Sequence, residues 1–369
     1  MKILIATGIY PPSIGGPATY SKLLFDELPK RGIDVKVVSF DSVRKYPKGI
    51  SHFIYLLKLI FAGRKVDAIY AQDPISVGFP AMWASRILKK KLILKVVGDY
   101  AWEQSVQRYG VLDVLDDFVD HSYSMEVERL RKIERDVAKY ASKIIVPSRY
   151  LKKIVSKWGV DDEKINVIYN AFDGIPEEYN KKELRNILGF NSPIVMSSGR
   201  LVPWKGFHEL ILCMNDLKDF IPGIRLFIAG EGPDREKLEA QVSELNLGST
   251  VTFLGSLPKE KLFQYIKASD LFVLNTSYEG FSHQILEVLA LKTPVMTTDV
   301  GGNPEIIESG KDGVLFSYNN TSEIKAYIKA MIENPEKREE FSENGLYKVS
   351  EFSTDRMLGE LEIFLKENI

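Results

Sequence analysis

Two carboxylates in "YEGFSHQILEVLALKTPV" (Tyr278–Val295), Glu279 and Glu287, bracket seven residues that begin Gly-Phe-Ser and then turn apolar. A carboxylate accepts hydrogen bonds from two sugar hydroxyls, while amides at a helix start favour an anion. One acid for a pyranose, the amides of Phe281, Ser282 and His283 for phosphate, and a second acid for a ribose diol make a coherent division. A capping Glu279 and a surface Glu287 are the plainer alternative. In "SSGRLVPWKGFHELI", Arg200 and Lys205 lie on a loop entering a helix, with Gly199 and Gly206 beside them. Two cations so placed can aim at one diphosphate, and otherwise they are solvated surface charges. Gly15-Gly16 in "GIYPPSIGGPATYSKLL" lets a backbone pass close to a phosphate, or simply makes a tight turn before Pro17. The stretch Gly255–Leu257 in "VTFLGSLPKEKL" can edge a flat base through its backbone.

These loops need elements that bring them together. Short β-branched runs alternate with helix-length amphipathic segments. In the first half strands are read near Lys2–Thr7, Val35–Phe40, Asp67–Ala71, Leu92–Val97, Lys143–Pro147 and Ile165–Ile168. The second half repeats the rhythm near Ile194–Ser198, Arg225–Ala229, Val251–Leu254, Asp270–Leu274 and Pro294–Thr297. Such alternation gives right-handed βαβ crossovers and parallel sheets covered on both faces. The expected class is α/β, with two doubly wound, Rossmann-like domains. Each proposed site loop then follows a strand, at the carboxyl edge where ligands of open parallel sheets bind. The domains are expected at residues 1–175 and 176–350, with 351–369 a C-terminal helix packing back on the first. The join falls in "YNAFDGIPEEYNKKELRNILGFNSP", where Gly, Pro, Asn and charge replace the apolar rhythm.

The chain has 369 residues, 45% of them hydrophobic and 27% charged, which is globular composition. Its single cysteine, Cys213, excludes an internal disulfide and fits a reducing compartment. No run reaches the ~18 uncharged apolar residues of a membrane span. The N-terminal apolar segment ends at once in Pro11-Pro12 and reads as a strand rather than a leader. Four scattered histidines and the absence of paired acids point away from a zinc or magnesium site. Net charge is −1, yet residues 1–178 carry 28 basic and 22 acidic side chains, an excess of six that the remainder reverses. Basic stripes interleaved with aromatics are missing, so nucleic acid is not an expected partner, whereas an anionic partner or membrane surface is compatible.

Taken in order, "YPPSIGGPATY", "VIYNAFD", "GRLVPWKG", "IAGEGP", "VTFLGSL", the Glu-seven-Glu stretch and "VGGNPEII" resemble the retaining glycosyltransferases of family 4. The resemblance covers nearly the whole chain. It implies the GT-B fold, two Rossmann-like domains facing across a cleft, with the nucleotide-sugar held by the second and the acceptor presented by the first. By position it implies that Arg200 and Lys205 hold the leaving diphosphate, Glu287 the ribose and Glu279 the donor sugar, with Gly16 near the distal phosphate. It also implies metal-independent transfer by front-face attack, with no cofactor beyond the nucleotide-sugar. The sequence departs from the family where a histidine is usual: that loop reads "VVGDYAWEQ", with Asp99 at or near the place. Asp99 is expected to bind a hydroxyl or to serve as a general base, or else to cap the turn that follows, with Glu103 or no residue then taking the role. Glycine is also usual at Ser282 and Lys292.

The expected partners are a UDP- or GDP-sugar donor and a glycan or lipid-linked acceptor, in the cytoplasm, with peripheral contact at the inner membrane face. The aromatic run "SHFIYLLKLIFAGRK" reads either as a helix packed on a sheet or as a membrane-resting segment. Two rival readings stay open: a nucleotide-sugar epimerase, and a catalytically silent nucleotide-sugar or glycan binder.

Overall fold

The computed structural model describes all residues except 14, 48, 173 and 175–178. The expected join at residues 175 and 176 lies outside the described residues. Two compact units are present: Met1–Asn170 with Asp355–Ile369, and Ala171–Thr354.

The first unit is built on β1 (Lys2–Thr7), β2 (Asp34–Ser39), β3 (Ala68–Ala71), β4 (Lys91–Lys95), β5 (Lys143–Val146) and β6 (Ile165–Val167). They form one sheet in the order β2-β1-β3-β4-β5-β6, and every pairing is parallel. Ile3, Leu4 and Ile5 are fully buried, as a strand covered on both faces requires. The last residues return to this unit, where Arg31 pairs with Asp355 and Glu362 of the C-terminal helix Thr354–Asn368.

The second unit carries β7 (Ile194–Ser198), β8 (Arg225–Ala229), β9 (Val251–Gly255), β10 (Leu271–Leu274), β11 (Val295–Thr298) and β12 (Val314–Phe316). Their order is β12-β11-β10-β7-β8-β9, again all parallel. The chain builds outward from β7 through β8 to β9, then crosses to β10 and builds the other way. The loops leaving β7 and β10 therefore diverge from neighbouring strands, which is the switch point at which ligands sit in such sheets. Beneath them the core includes Val195, Leu210, Met214, Leu226 and Val273. Cys213 is part of it.

Eleven of the twelve strands among the described residues lie within a residue or two of the expected runs. β12 was not anticipated: three residues after Gly313 leave too short an apolar run to separate from a turn. β8 and β9 slip register between Ile228 and Ala229, a bulge that leads into the Gly230 turn.

Candidate active site

The loop after β7 holds Gly199 in a positive-φ conformation, then an exposed Arg200, then a short turn Pro203–Lys205. Arg200 makes no ion pair among the described residues. Lys205 does not project outward. Its stem folds over Gly199, passing 3.9 Å from where a Cβ there would stand, and its ammonium donates to Glu279 Oε1. Lys205 and Glu279 are 14% and 19% exposed, so the pair is half-sunk at the rim of the sheet.

What holds the two loops in register is a set of bonds to the backbone around Lys205. Asn275 Nδ2 donates to the Gly206 carbonyl at 2.8 Å. The Ser277 amide reaches the Trp204 carbonyl at 2.9 Å, and Thr276 Oγ1 reaches the same oxygen at 3.2 Å. Gly206 is in the left-handed region, and a Cβ there would lie 2.2 Å from Asn275 Nδ2. The residues after β10 are therefore clamped to the residues after β7, which explains why Lys205 and Glu279 meet.

The loop after β11 closes the set from the other side. The Gly302 amide donates to the Glu279 carbonyl at 2.8 Å. Asn303 is fully buried, and its Nδ2 donates to Thr297 Oγ1, the Thr298 carbonyl and Thr298 Oγ1 at 3.0, 3.2 and 3.3 Å. The motif "VGGNPEII" was noted in the sequence only as part of a resemblance. Here Gly301, Gly302 and Asn303 are the bed on which the Glu279 backbone lies, and a pair of glycines between a strand and a buried asparagine was the signal for it.

Helix His283–Ala290 starts beside Glu279. Its cap is Ser282, whose hydroxyl accepts from the Ile285 amide at 3.3 Å and keeps its own proton to donate. Phe281 is buried with its ring 5.3 Å from that of Phe352, so only its backbone can face a ligand. His283 is exposed, and Gln284 bonds Ser198 Oγ at the end of β7, tying the helix start to the first loop. Glu287 stands one helical turn further on, 18% exposed, with Oε1 at 3.0 Å from Lys259 Nζ.

The loops after β8 and β9 form the other wall. Gly230 donates its amide to the Gly255 carbonyl at 2.8 Å, and Leu201 donates to the Glu231 carbonyl at 2.9 Å. A Cβ on Gly230 would sit 1.9 Å from the Gly199 carbonyl oxygen, so this turn fits against the Arg200 loop only as glycine. Gly255 and Leu257 are partly exposed at the end of β9, with Glu231 Oε1 3.0 Å from a Cβ built on Gly255.

In the first unit, Gly16 opens the helix Gly16–Glu27 after the β1 loop, and among the described residues nothing lies within 4 Å of the position of its Cβ. Its backbone is open to approach. Asp99 takes the capping alternative. It is the N-cap of the helix Tyr100–Arg108, its Oδ1 accepting from the Trp102 amide at 2.8 Å, and it is 2% exposed. Beside it Glu134, 1% exposed, accepts from the Tyr100 and Ala101 amides at 3.1 and 3.4 Å. Burial raises the pKa of both acids, and the Asp99 charge adds to the rise at Glu134. Two carboxyls so buried share a proton more readily than they both ionise.

Among the described residues, no group of three or more His, Cys, Asp or Glu gathers as metal ligands would. Among the described residues, no helix is long and apolar enough to cross a membrane.

The family described as Glycosyltransferase Family 4 matches residues 14–173, and that described as Glycosyl transferases group 1 matches residues 180–347. An uncharacterized glycosyltransferase of Methanocaldococcus jannaschii is 28% identical over 85% of this chain and 84% of its own. Alpha-monoglucosyldiacylglycerol synthase of Streptococcus pneumoniae is 24% identical over 95% of this chain and 82% of its own. Among solved structures, HepE of Anabaena in complex with UDP superposes with a TM-score of 0.75 at 22% identity, covering all of both chains. The two parallel sheets are thus those of the GT-B fold. With one family matching each half of the chain, the protein belongs to the group 1, family 4 glycosyltransferases and is an enzyme of sugar transfer.

Proposed function

We propose that the enzyme moves a sugar from a nucleotide-diphosphate donor, a UDP- or GDP-sugar, to a glycan or lipid-linked acceptor, with retention and without a metal. The observation that carries this reading is the Lys205–Glu279 pair at the switch point of the second sheet, with Arg200 exposed on the same loop as Lys205 and a helix starting just after Glu279. One cation and one acid side by side match the two halves of a sugar diphosphate. The cations and helix start lower the energy of the departing diphosphate, and the carboxylate holds the donor sugar as positive charge grows at C1. Glu287 takes the ribose hydroxyls, and Gly255 and Leu257 the base. In front-face transfer the acceptor oxygen bonds to C1 as the C1–O bond to phosphate breaks. The acceptor's proton then passes to the departing phosphate oxygen, so Asp99 serves by fixing the loop after β4 rather than as the base. HepE, a structural neighbour, has been solved with UDP and with UDP-glucose, and a relative is named for a diacylglycerol product; both fit this choice of donor and acceptor.

A thermal-shift panel of UDP- and GDP-sugars, followed by nucleotide release with candidate acceptors, tests the reading. Stabilisation by one nucleotide class and acceptor-dependent release are expected, with NMR of the new glycosidic bond showing the donor's anomeric configuration. Conversion of the donor sugar without acceptor would establish the epimerase instead. Stabilisation without release from any acceptor would leave a binder.

A further inference from the structure

Charge in the first unit is not dispersed. From Ser42 to Gly98 the sequence holds eleven Lys and Arg against two acids, Asp67 and Asp73. Asp73 is not offered to the surface as a free acid: its Oδ1 accepts from the amides of Ile75, Ser76 and Val77. Within this basic stretch lie two helices, Ile50–Gly63 and Gly78–Leu88, neither with an acidic residue. They pack together closely enough that a Cβ on Gly63 would stand 2.7 Å from Leu88 Cδ1.

The sequence left the first of these helices open between a core helix and a membrane-resting one. In the structure one face of it packs inward and the opposite, apolar face is left exposed. Ser51, Tyr55, Leu59 and Gly63 are buried, while Ile50, Phe53, Leu57 and Phe61 lie on the outer face, with Phe61 75% exposed. The second helix repeats the pattern: Phe79, Trp83 and Ile87, at i, i+4 and i+8, are exposed. An apolar groove of about 590 Å3 runs between the outer helix and the edge strand β2, lined by Val38, Ile54 and Phe61, with Lys58 at its rim. Arg64 lies 5.6 Å from the Phe61 ring centroid and Arg86 lies 5.1 Å from that of Trp83.

We propose that this two-helix face rests on an anionic phospholipid bilayer. Aromatic and aliphatic side chains on one face with Lys and Arg around them are what an interfacial helix presents, the rings entering the acyl boundary and the basic heads meeting phosphate. A second copy of the chain is the poorer occupant, because an isologous contact would set this basic surface against itself. The proposal rests on the surface of the first unit and not on the reading of the donor site.

The test uses the full chain with vesicles of phosphatidylcholine alone and of phosphatidylcholine mixed with phosphatidylglycerol. Three of the four tryptophans, Trp102, Trp158 and Trp204, are buried, so a change in emission and acrylamide quenching reports on Trp83, which is 41% exposed. Co-sedimentation with the anionic vesicles at least about tenfold stronger than with the neutral ones is expected, with Trp83 emission moving to the blue. Phe53→Ser with Phe61→Ser, and separately Arg64→Glu with Lys65→Glu, are each expected to weaken that binding about tenfold while the circular dichroism melting curve stays in place. The charge variant touches no buried side chain, which keeps the test decisive if the apolar variant unfolds. Equal binding to both vesicle types, or to neither, overturns the proposal. So does a concentration-dependent oligomer seen by light scattering that shields Trp83 without lipid.

Discussion

Lys205 and Glu279, seventy-four positions apart, meet as an ion pair where the loops leaving β7 and β10 converge. In the proposed reaction these two side chains serve opposite ends of the donor, so the pair must loosen as the diphosphate arrives. Glu279→Gln removes the carboxylate's hold on the ammonium and is expected to tighten binding of UDP or GDP alone by about 3- to 10-fold, the order of one largely buried but water-accessible ion pair. The same substitution is expected to lower transfer about 100-fold, since it deletes the acid facing the sugar. Lys205→Ala lowers both. Calorimetry with the bare nucleotide and a nucleotide-release assay read the two effects, and weaker nucleotide binding by Glu279→Gln would show that the pair is structural only.

Glu287 is assigned to a diol, and a diol can be removed from the ligand. The wild-type enzyme is expected to bind the ribonucleoside diphosphate about 10- to 100-fold better than its 2′,3′-dideoxy analogue, the range for hydrogen bonds to a charged group. Glu287→Ala should bind both equally weakly. Lys259, more than half exposed, contributes little, so Lys259→Ala is expected to stay within about twofold of wild type. Undiminished discrimination in Glu287→Ala would move the ribose contact elsewhere.

Runs such as "ILIA" and "KIIV" are legible as strands because a parallel strand covered on both faces must be apolar almost throughout. The loops they launch were legible for the same reason: a Gly, Arg or Glu just after such a run stands at the carboxyl edge. Which loops touch was legible only through the family resemblance, since that depends on strand order, and apolar periodicity alone does not place β10 next to β7 rather than β9. The Lys205–Glu279 pair is therefore a product of topology. Asp99 shows the other limit. An aspartate three residues before Trp102 suits a cap and a base alike, and Glu134, thirty-five positions on, supplies the buried partner that goes with the cap.

Gly301 is where the family motif meets the reacting groups. Its φ is +61°, and a Cβ there would lie 2.2 Å from the Glu279 carbonyl oxygen, a backbone atom that cannot step aside. Gly301→Ala is expected to displace the Glu279 loop, at about 1–3 kcal/mol in stability and about 100-fold in transfer. Gly248→Ala, whose Cβ meets nothing within 4 Å, is the matched control and should leave both within about twofold in rate and ~0.5 kcal/mol in stability. Full activity in Gly301→Ala would mean that the loop adjusts without cost.

Lys95 offers a pH dependence with a definite sign. It ends β4 at 2% exposure, with Nζ 3.3 Å from Asn170 Oδ1 and 3.7 Å from the centroid of the Tyr20 ring. Burial pulls its pKa down to about 7 from the ordinary 10.5. A depressed folded-state value means that the unfolded chain binds the proton more tightly between those limits, so stability is full above the upper one and is lost as pH falls through the lower. The wild-type protein should gain about 2 kcal/mol relative to Lys95→Met between pH 7 and pH 9, several degrees in melting temperature. Taking the difference between the two proteins cancels every other titration. A difference that stays flat across that range would mean that the Tyr20 ring and the Asn170 carbonyl hold the ammonium charged despite its burial, because an aromatic face and one amide oxygen would then be offsetting the whole loss of water.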